Sequence, residues 1–168
     1  MKSNNCVIRE ATFQETSIIA EHFYQLWRDN KVPPESLKPN YQEITLQFIK
    51  NASQKLHFKA YFAELEGKII GSASCQLYEG LYPHILAENY RKYGYIWGVY
   101  VEKVYRGRGI GKQLTASAIA HLKSLNCTRI VLHASPSGKP IYTSLGFVES
   151  NGMWLDLESK CLSIFSEN

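Results

Sequence analysis

Arg106-Gly107-Arg108-Gly109-Ile110-Gly111-Lys112 stands between a β-branched, aromatic run at 95–101 and a segment at 110–125 with helical spacing of its apolar residues. A strand, a glycine-rich turn and a helix in that order put a helix start at the end of a strand. The first four N–H groups of a helix lack partners within it, and the helix dipole places partial positive charge there. Phosphates bind readily at such an end. The three glycines remove Cβ atoms that would hold a diphosphate off the backbone, while Arg106, Arg108 and Lys112 supply charged donors around it. The stretch reads as a diphosphate cradle.

Two other glycine-rich patterns fail on spacing. The nucleotide P-loop needs Gly where Arg106 stands and Ser or Thr where Gln113 stands. The dinucleotide fingerprint fits Gly107 and Gly109 but then needs Gly at Lys112, and no acidic residue follows at the right remove. A third pattern fits: Arg or Gln, two residues, Gly, one residue, then Gly or Ala, met by Arg106, Gly109 and Gly111 after the lead-in Y-V-E-K-V-Y at 100–105. This resembles the acetyl-CoA loop of the GNAT superfamily of N-acetyltransferases. About thirty residues on, I-Y-T-S-L-G-F at 141–147 resembles the family's Y-x-x-L-G-F ending of its fourth helix.

The chain of 168 residues suits one domain, expected over 1–168, with enough length to bury a core unaided. Its 45% hydrophobic and 20% charged residues are those of an ordinary globule. No segment approaches the roughly 18 apolar residues that cross a bilayer, so no membrane partner is expected. Residues 1–5 run straight into a strand-like Cys6-Val7-Ile8-Arg9 without an apolar signal region, and a cytoplasmic location is expected. Cys6, Cys75, Cys127 and Cys161 form no C-x-x-C pair, which argues against a zinc site or a disulfide framework; no metal is expected. The net charge of +4 is modest and spread along the chain, so no nucleic-acid face is indicated.

Along the chain, Thr12-x-x-Glu15 supplies a capping-box start for a helix over 13–29, and a second helix is predicted over 41–51 after Pro33-Pro34. Two strands at 58–65 and 69–77 flank the turn Glu66-Gly67-Lys68. The tyrosine-rich stretch 78–94 reads as a functional loop. After the 95–101 strand and the cradle come a helix at 110–125, a strand at 129–133, a short helix at 139–145 stopped by Gly146, and a closing strand pair through Trp154 to 157. This order is what the GNAT resemblance predicts: an α/β fold whose twisted, mixed, mostly antiparallel sheet of about seven strands is flanked by about four helices and splayed at strands 4 and 5. A homodimer paired through the closing strands is possible, because open sheet edges invite it.

The resemblance implies an N-acetyltransferase that moves an acetyl group from acetyl-CoA, as cosubstrate, to a primary amine by direct attack in a ternary complex. It assigns the pantetheine arm to the strand backbone at Val99, Tyr100 and Val101, and the diphosphate to Arg106, Gly107, Arg108, Gly109, Ile110, Gly111 and Lys112. Gly98 is compatible with a bulge in that strand, or merely relieves crowding. Tyr142 matches the tyrosine that protonates the departing thiolate in many relatives; alternatively it is a core tyrosine. Ser135 stands where many relatives carry an asparagine on the cofactor arm, or caps a helix. Tyr95 occupies the place where some relatives carry a glutamate base, so the base stays open among Glu88, His84 and Glu102. Rings in 78–95 suit an acceptor pocket or a packed loop equally. The rival to an enzyme is an acyl-CoA sensor that kept the cradle and lost turnover, or an acyltransferase with another donor or acceptor.

Overall fold

Glu15 joins the start of the first helix to the sheet. Its carboxylate accepts from the Thr12 N–H and hydroxyl, both at 2.8 Å, and from Arg9, whose guanidinium also bonds Glu64 at 2.6 Å. Strand β1 (Val7–Glu10) therefore leads through a single 3-10 turn (Phe13–Glu15) into helix α1 (Thr16–Asp29). Helix α2 (Tyr41–Lys55) follows the Pro33-Pro34 break and runs one turn longer than the sequence pattern suggested. The computed structural model describes residues 6–80 and 83–157.

The sheet has the order β1-β2-β3-β4-β5. Strands β2 (Lys59–Leu65) and β3 (Lys68–Leu77) form the expected hairpin, with Leu65 opposite Lys68 across the Glu66-Gly67 turn. Strand β4 (Tyr93–Val101) is antiparallel to β3, and β5 (Arg129–Val131) is parallel to β4. Opposite Ala73 the β4 register slips, since Ser74 pairs with Trp97 and Ser72 with Tyr100. Gly98 at φ +64° takes the left-handed position that such a bulge requires, so the bulge reading of Gly98 holds.

Helices α1 and α2 cover one face of the sheet, where Ile19, Ile49, Ala60, Phe62 and Trp97 form a core. Helix α3 (Ile110–Ser124) covers the other. Its Leu114 and Leu122 are fully buried, each worth roughly 1.5–3 kcal/mol of apolar burial as an upper estimate. Gly94 lets Leu122 lie directly on β4: a Cβ there would meet the leucine Cδ1 at 2.7 Å. A short helix α4 (Lys139–Ser144) ends the regular structure.

The splayed α/β architecture is as expected, but with five strands rather than about seven. Residues 147–157 form no strand among the described residues. Local bonds take their place: Glu149 pairs with Lys139 of α4, and the Gly152 N–H donates to the Ser150 hydroxyl at 3.2 Å. The Gly152 bond occupies a backbone donor that a ladder would use, and a three-residue β5 offers little edge to pair with. The final residues, 158–168, including Cys161, and the leading 1–5 lie outside the described residues, as do 81–82 of the tyrosine-rich loop. Among the described residues no helix is long and apolar enough to cross a membrane.

Candidate active site

Strands β4 and β5 pair only through Tyr93–Arg129, Gly94–Ile130 and Tyr95–Val131. Past Tyr95 they part, and β4 continues alone on that side to Val101. On that edge the Val99 backbone faces an opening of the kind an extended ligand arm fills by strand-like hydrogen bonds, whereas Tyr100 is in register with Ser72 and turns its carbonyl towards β3. Val101 is different, because its carbonyl already accepts from Arg106 Nε at 2.8 Å.

The cradle lies at the mouth of this opening. Gly107 and Gly109 adopt φ of +75° and +76°, and Gly109 is the N-cap of α3 with no side chain capping the end. An added Cβ at either glycine would find nothing within 4 Å, so their backbone faces open space. The N–H groups of Ile110, Gly111 and Lys112 begin the helix and have no carbonyl a turn behind them. The residues present therefore fit a diphosphate.

The three basic side chains of the motif are not equivalent. Arg106 turns away from the helix end: it bonds the Val101 carbonyl, pairs with Asp29 at 2.5 Å and lies over the Tyr100 ring at 5.6 Å. Lys103 joins the same carboxylate at 3.0 Å. Burial opposes charge on Asp29, yet these two cations outweigh it and hold its carboxyl below the usual range. Arg106 thus braces the loop against the end of α1. Arg108 lies over the Tyr105 ring at 5.6 Å, and Arg108 and Lys112 stay exposed beside the helix end.

Helix α4 is set against the cradle through Ile141, whose Cδ1 would stand 3.4 Å from a Cβ on Gly111. The next residue, Tyr142, packs edge-on to Phe147 at 6.0 Å and over Gly138, where a Cβ would meet its ring at 2.9 Å. Burial pushes the Tyr142 phenol above its ordinary value, so it stays protonated at neutral pH and can donate a proton. Ser135 accepts from the Gly138 N–H through its hydroxyl at 3.2 Å, which is the capping alternative for this residue.

The structure does not gather the carboxylates considered as bases. Glu88 is exposed and pairs with Lys92 at 3.2 Å, below the point where β4 and β5 part. Glu102 pairs with Lys68 at 2.7 Å, beyond the end of β4. His84 Nε2 accepts from the Gly80 N–H at 3.2 Å. What does meet at the base of the opening is a pair the sequence did not join: the Tyr95 hydroxyl and His133 Nδ1, 3.3 Å apart, with Tyr78 against Tyr95 at 5.8 Å between ring centres. Their one signal in the sequence was Tyr95 at a position where a carboxylate was sought. Among the described residues no group of three or more His, Cys, Asp or Glu side chains is placed to hold a metal ion.

A splayed sheet with an uncapped, glycine-lined helix end at its mouth defines the class, and the sequence comparison agrees: the chain belongs to the acetyltransferase (GNAT) family, which it matches over residues 16–147. It is 32% identical over 100 residues to a glucosamine 6-phosphate N-acetyltransferase of Trypanosoma brucei brucei, covering 59% of this chain and 65% of that protein. It is 27% identical over 148 residues to the N-alpha-acetyltransferase MAK3 of Arabidopsis thaliana, covering 86% of this chain and 71% of that one. The chain thus spans just under two thirds of the trypanosomal relative's length. Its fold superposes with a TM-score of 0.76 on a predicted acetyltransferase of Clostridium acetobutylicum solved with acetyl-CoA, at 25% identity, covering 92% of this chain and 96% of that one.

Proposed function

We propose that this chain is an acetyl-CoA-dependent N-acetyltransferase that acetylates a primary amine of a small molecule by direct attack in a ternary complex. The observation that carries the reading is the junction itself: an uncapped, glycine-lined helix end at the mouth of the β4–β5 opening, with a protonated Tyr142 on the helix packed beside it. Acetyl-CoA supplies a thioester whose carbonyl carbon the amine attacks, so that a C–N bond forms and the C–S bond breaks. The backbone of 107–112, Arg108 and Lys112 bind the diphosphate, and the Val99 backbone aligns the arm. Ser135 completes the wall near α4, and Tyr142 gives its proton to the leaving sulfur. Relatives named for glucosamine 6-phosphate and for spermine support an amine acceptor.

Thermal unfolding with acetyl-CoA, against ATP and NAD, tests this. A ligand at about 100 times its Kd adds about 2.7 kcal/mol of stability, which for a chain of this size raises the midpoint by roughly 5–11 °C. A shift confined to acetyl-CoA supports the assignment, and none at saturation refutes it. Tyr142→Phe should keep the shift and slow thiol release in the presence of the amine. Unchanged turnover would remove its role as acid.

A further inference from the structure

An amine that attacks a thioester must first lose a proton if it arrives as ammonium, and the groups able to take it are few. Glu88, Glu102 and His84 are each committed elsewhere, to Lys92, Lys68 and the Gly80 N–H. His133 is not so committed, and its place follows from the pleat. The β4–β5 ladder ends at Tyr95–Val131, so residues after Val131 line the wall of the opening. Leu132 packs with Ile96, Ala118 and Leu122 under α3. Alternation sends His133 to the opposite face, where Tyr95 lies against the Trp97 core and close to His133.

We infer that His133 is the base that deprotonates the acceptor amine, and that Tyr95 is the positioning residue that holds its ring. The inference rests on the acetyltransferase reading above and deepens it. The two rings meet edge-on with centres 6.0 Å apart. Burial, with the nearby Tyr78 hydroxyl, keeps the Tyr95 phenol neutral, so its oxygen can accept from the imidazole. With Nδ1–H donating to that oxygen, the lone pair of Nε2 is left toward the opening. His133 is exposed, so the proton it takes can pass on to water. Tyr95 from β4, with Tyr78 behind it, is the titratable group set against His133.

The proton count closes. The ammonium gives one proton to His133 Nε2 and becomes the neutral nucleophile. As the C–N bond forms and the C–S bond breaks, the nitrogen loses a second proton while the sulfur receives one from Tyr142, which the second proton replaces. The products are the amide, the CoA thiol and one proton released to solvent through His133.

Turnover is measured by thiol release with whichever of glucosamine 6-phosphate, spermine and an N-terminal tripeptide proves to be acetylated. His133→Gln should lower kcat/KM for the amine by about 10²-fold or more near neutral pH and recover as pH rises and the amine deprotonates itself. Its thermal shift with acetyl-CoA should match that of the unsubstituted protein. Tyr95→Phe should lower kcat several-fold while keeping the parent's pH profile, which His133→Gln displaces to higher pH. A His133→Gln variant within about threefold of the parent, with the same pH profile, overturns the inference while leaving the acetyltransferase reading in place. Absence of an acetyl-CoA shift in the unsubstituted protein overturns that reading and this inference with it. Nitrogen NMR of the full chain gives a readout that needs no acceptor: Nδ1-protonated His133 is expected, and a neutral ring protonated on Nε2 overturns the proposal.

Discussion

Gly109 and Gly111 stand two residues apart in one motif, and the structure predicts opposite consequences for alanine at each. Gly109 is the N-cap of α3 at φ 76° and ψ 4°, with no atom within 4 Å of an added Cβ. The effect of Gly109→Ala is therefore backbone strain alone. The left-handed conformation costs a non-glycine residue about 1–2 kcal/mol, offset by roughly 0.4–1 kcal/mol from the stiffer unfolded chain. The net is a loss of about 1 kcal/mol, or about 2–4 °C in the unfolding midpoint. Gly111 is already helical, and its added Cβ would meet Ile141 Cδ1 at 3.4 Å and Val101 Cγ2 at 4.0 Å, ordinary contacts. There alanine gains helix propensity of up to about 1 kcal/mol, so Gly111→Ala should match or exceed the parent in stability. Acetyl-CoA should separate the two further. The pattern that Arg106, Gly109 and Gly111 meet admits alanine at the last position, so the ligand-induced shift survives Gly111→Ala and shrinks in Gly109→Ala. Urea unfolding of both variants, with and without acetyl-CoA, measures all four quantities. The reasoning is refuted if Gly109→Ala is as stable as the parent, or if Gly111→Ala loses about 1 kcal/mol or more.

Other consequences follow from the ion pairs and the buried thiol. Arg106→Ala should lower the unfolding midpoint of the free protein by about 2–4 °C, a loss of about 1 kcal/mol, because it releases Asp29 and the Val101 carbonyl. Arg108→Ala and Lys112→Ala should leave that midpoint nearly unchanged and weaken acetyl-CoA binding, with a reduced salt dependence by calorimetry; the reverse pattern would place Arg106 on the diphosphate. Glu15 is held down to about 2 by Arg9 first and by Thr12, below its ordinary 4.5, so its contribution is present above about pH 4.5 and is lost as pH falls through that window towards 2. The pair is partly exposed, so the loss should stay below about 1 kcal/mol, and Glu15→Gln should remove it; an unchanged acid limb in that variant contradicts the assignment. Burial pushes the Cys75 thiol up to about 12, so peptide mapping after alkylation of the native protein should find it modified more slowly than Cys127.

What the sequence made legible is what short-range spacing encodes. The glycine-rich turn into α3, the Glu66-Gly67 turn and the Gly98 bulge depend on residues within a few positions of one another, and each takes the expected backbone form, although Arg106 turns from the helix end to Asp29. The Tyr-x-x-Leu-Gly-Phe segment ends α4 for the same reason. The closing strand pair expected across 147–157 fails because a strand exists only with a partner, and the Gly152 N–H, bonded to Ser150, takes up a group that a ladder would have used. The contacts that divide labour in the site are long-range. Arg106 meets Asp29 across 77 residues of chain, and Tyr95 meets His133 across 38. No periodicity joins such pairs; the parallel register of β4 and β5 does, by ending the ladder at Val131 and leaving His133 two residues past it on the face that Tyr95 occupies. The same register accounts for a tyrosine, and not a carboxylate, at position 95 of β4. If the parting of the strands brings an imidazole in from β5, β4 need supply only a neutral hydroxyl to orient it. A second test follows: placing a carboxylate there with Tyr95→Glu should make turnover of the acetylated amine less dependent on His133. Additive losses in a Tyr95→Glu, His133→Gln cycle would show that the two positions do not share one proton, and would break the link between them.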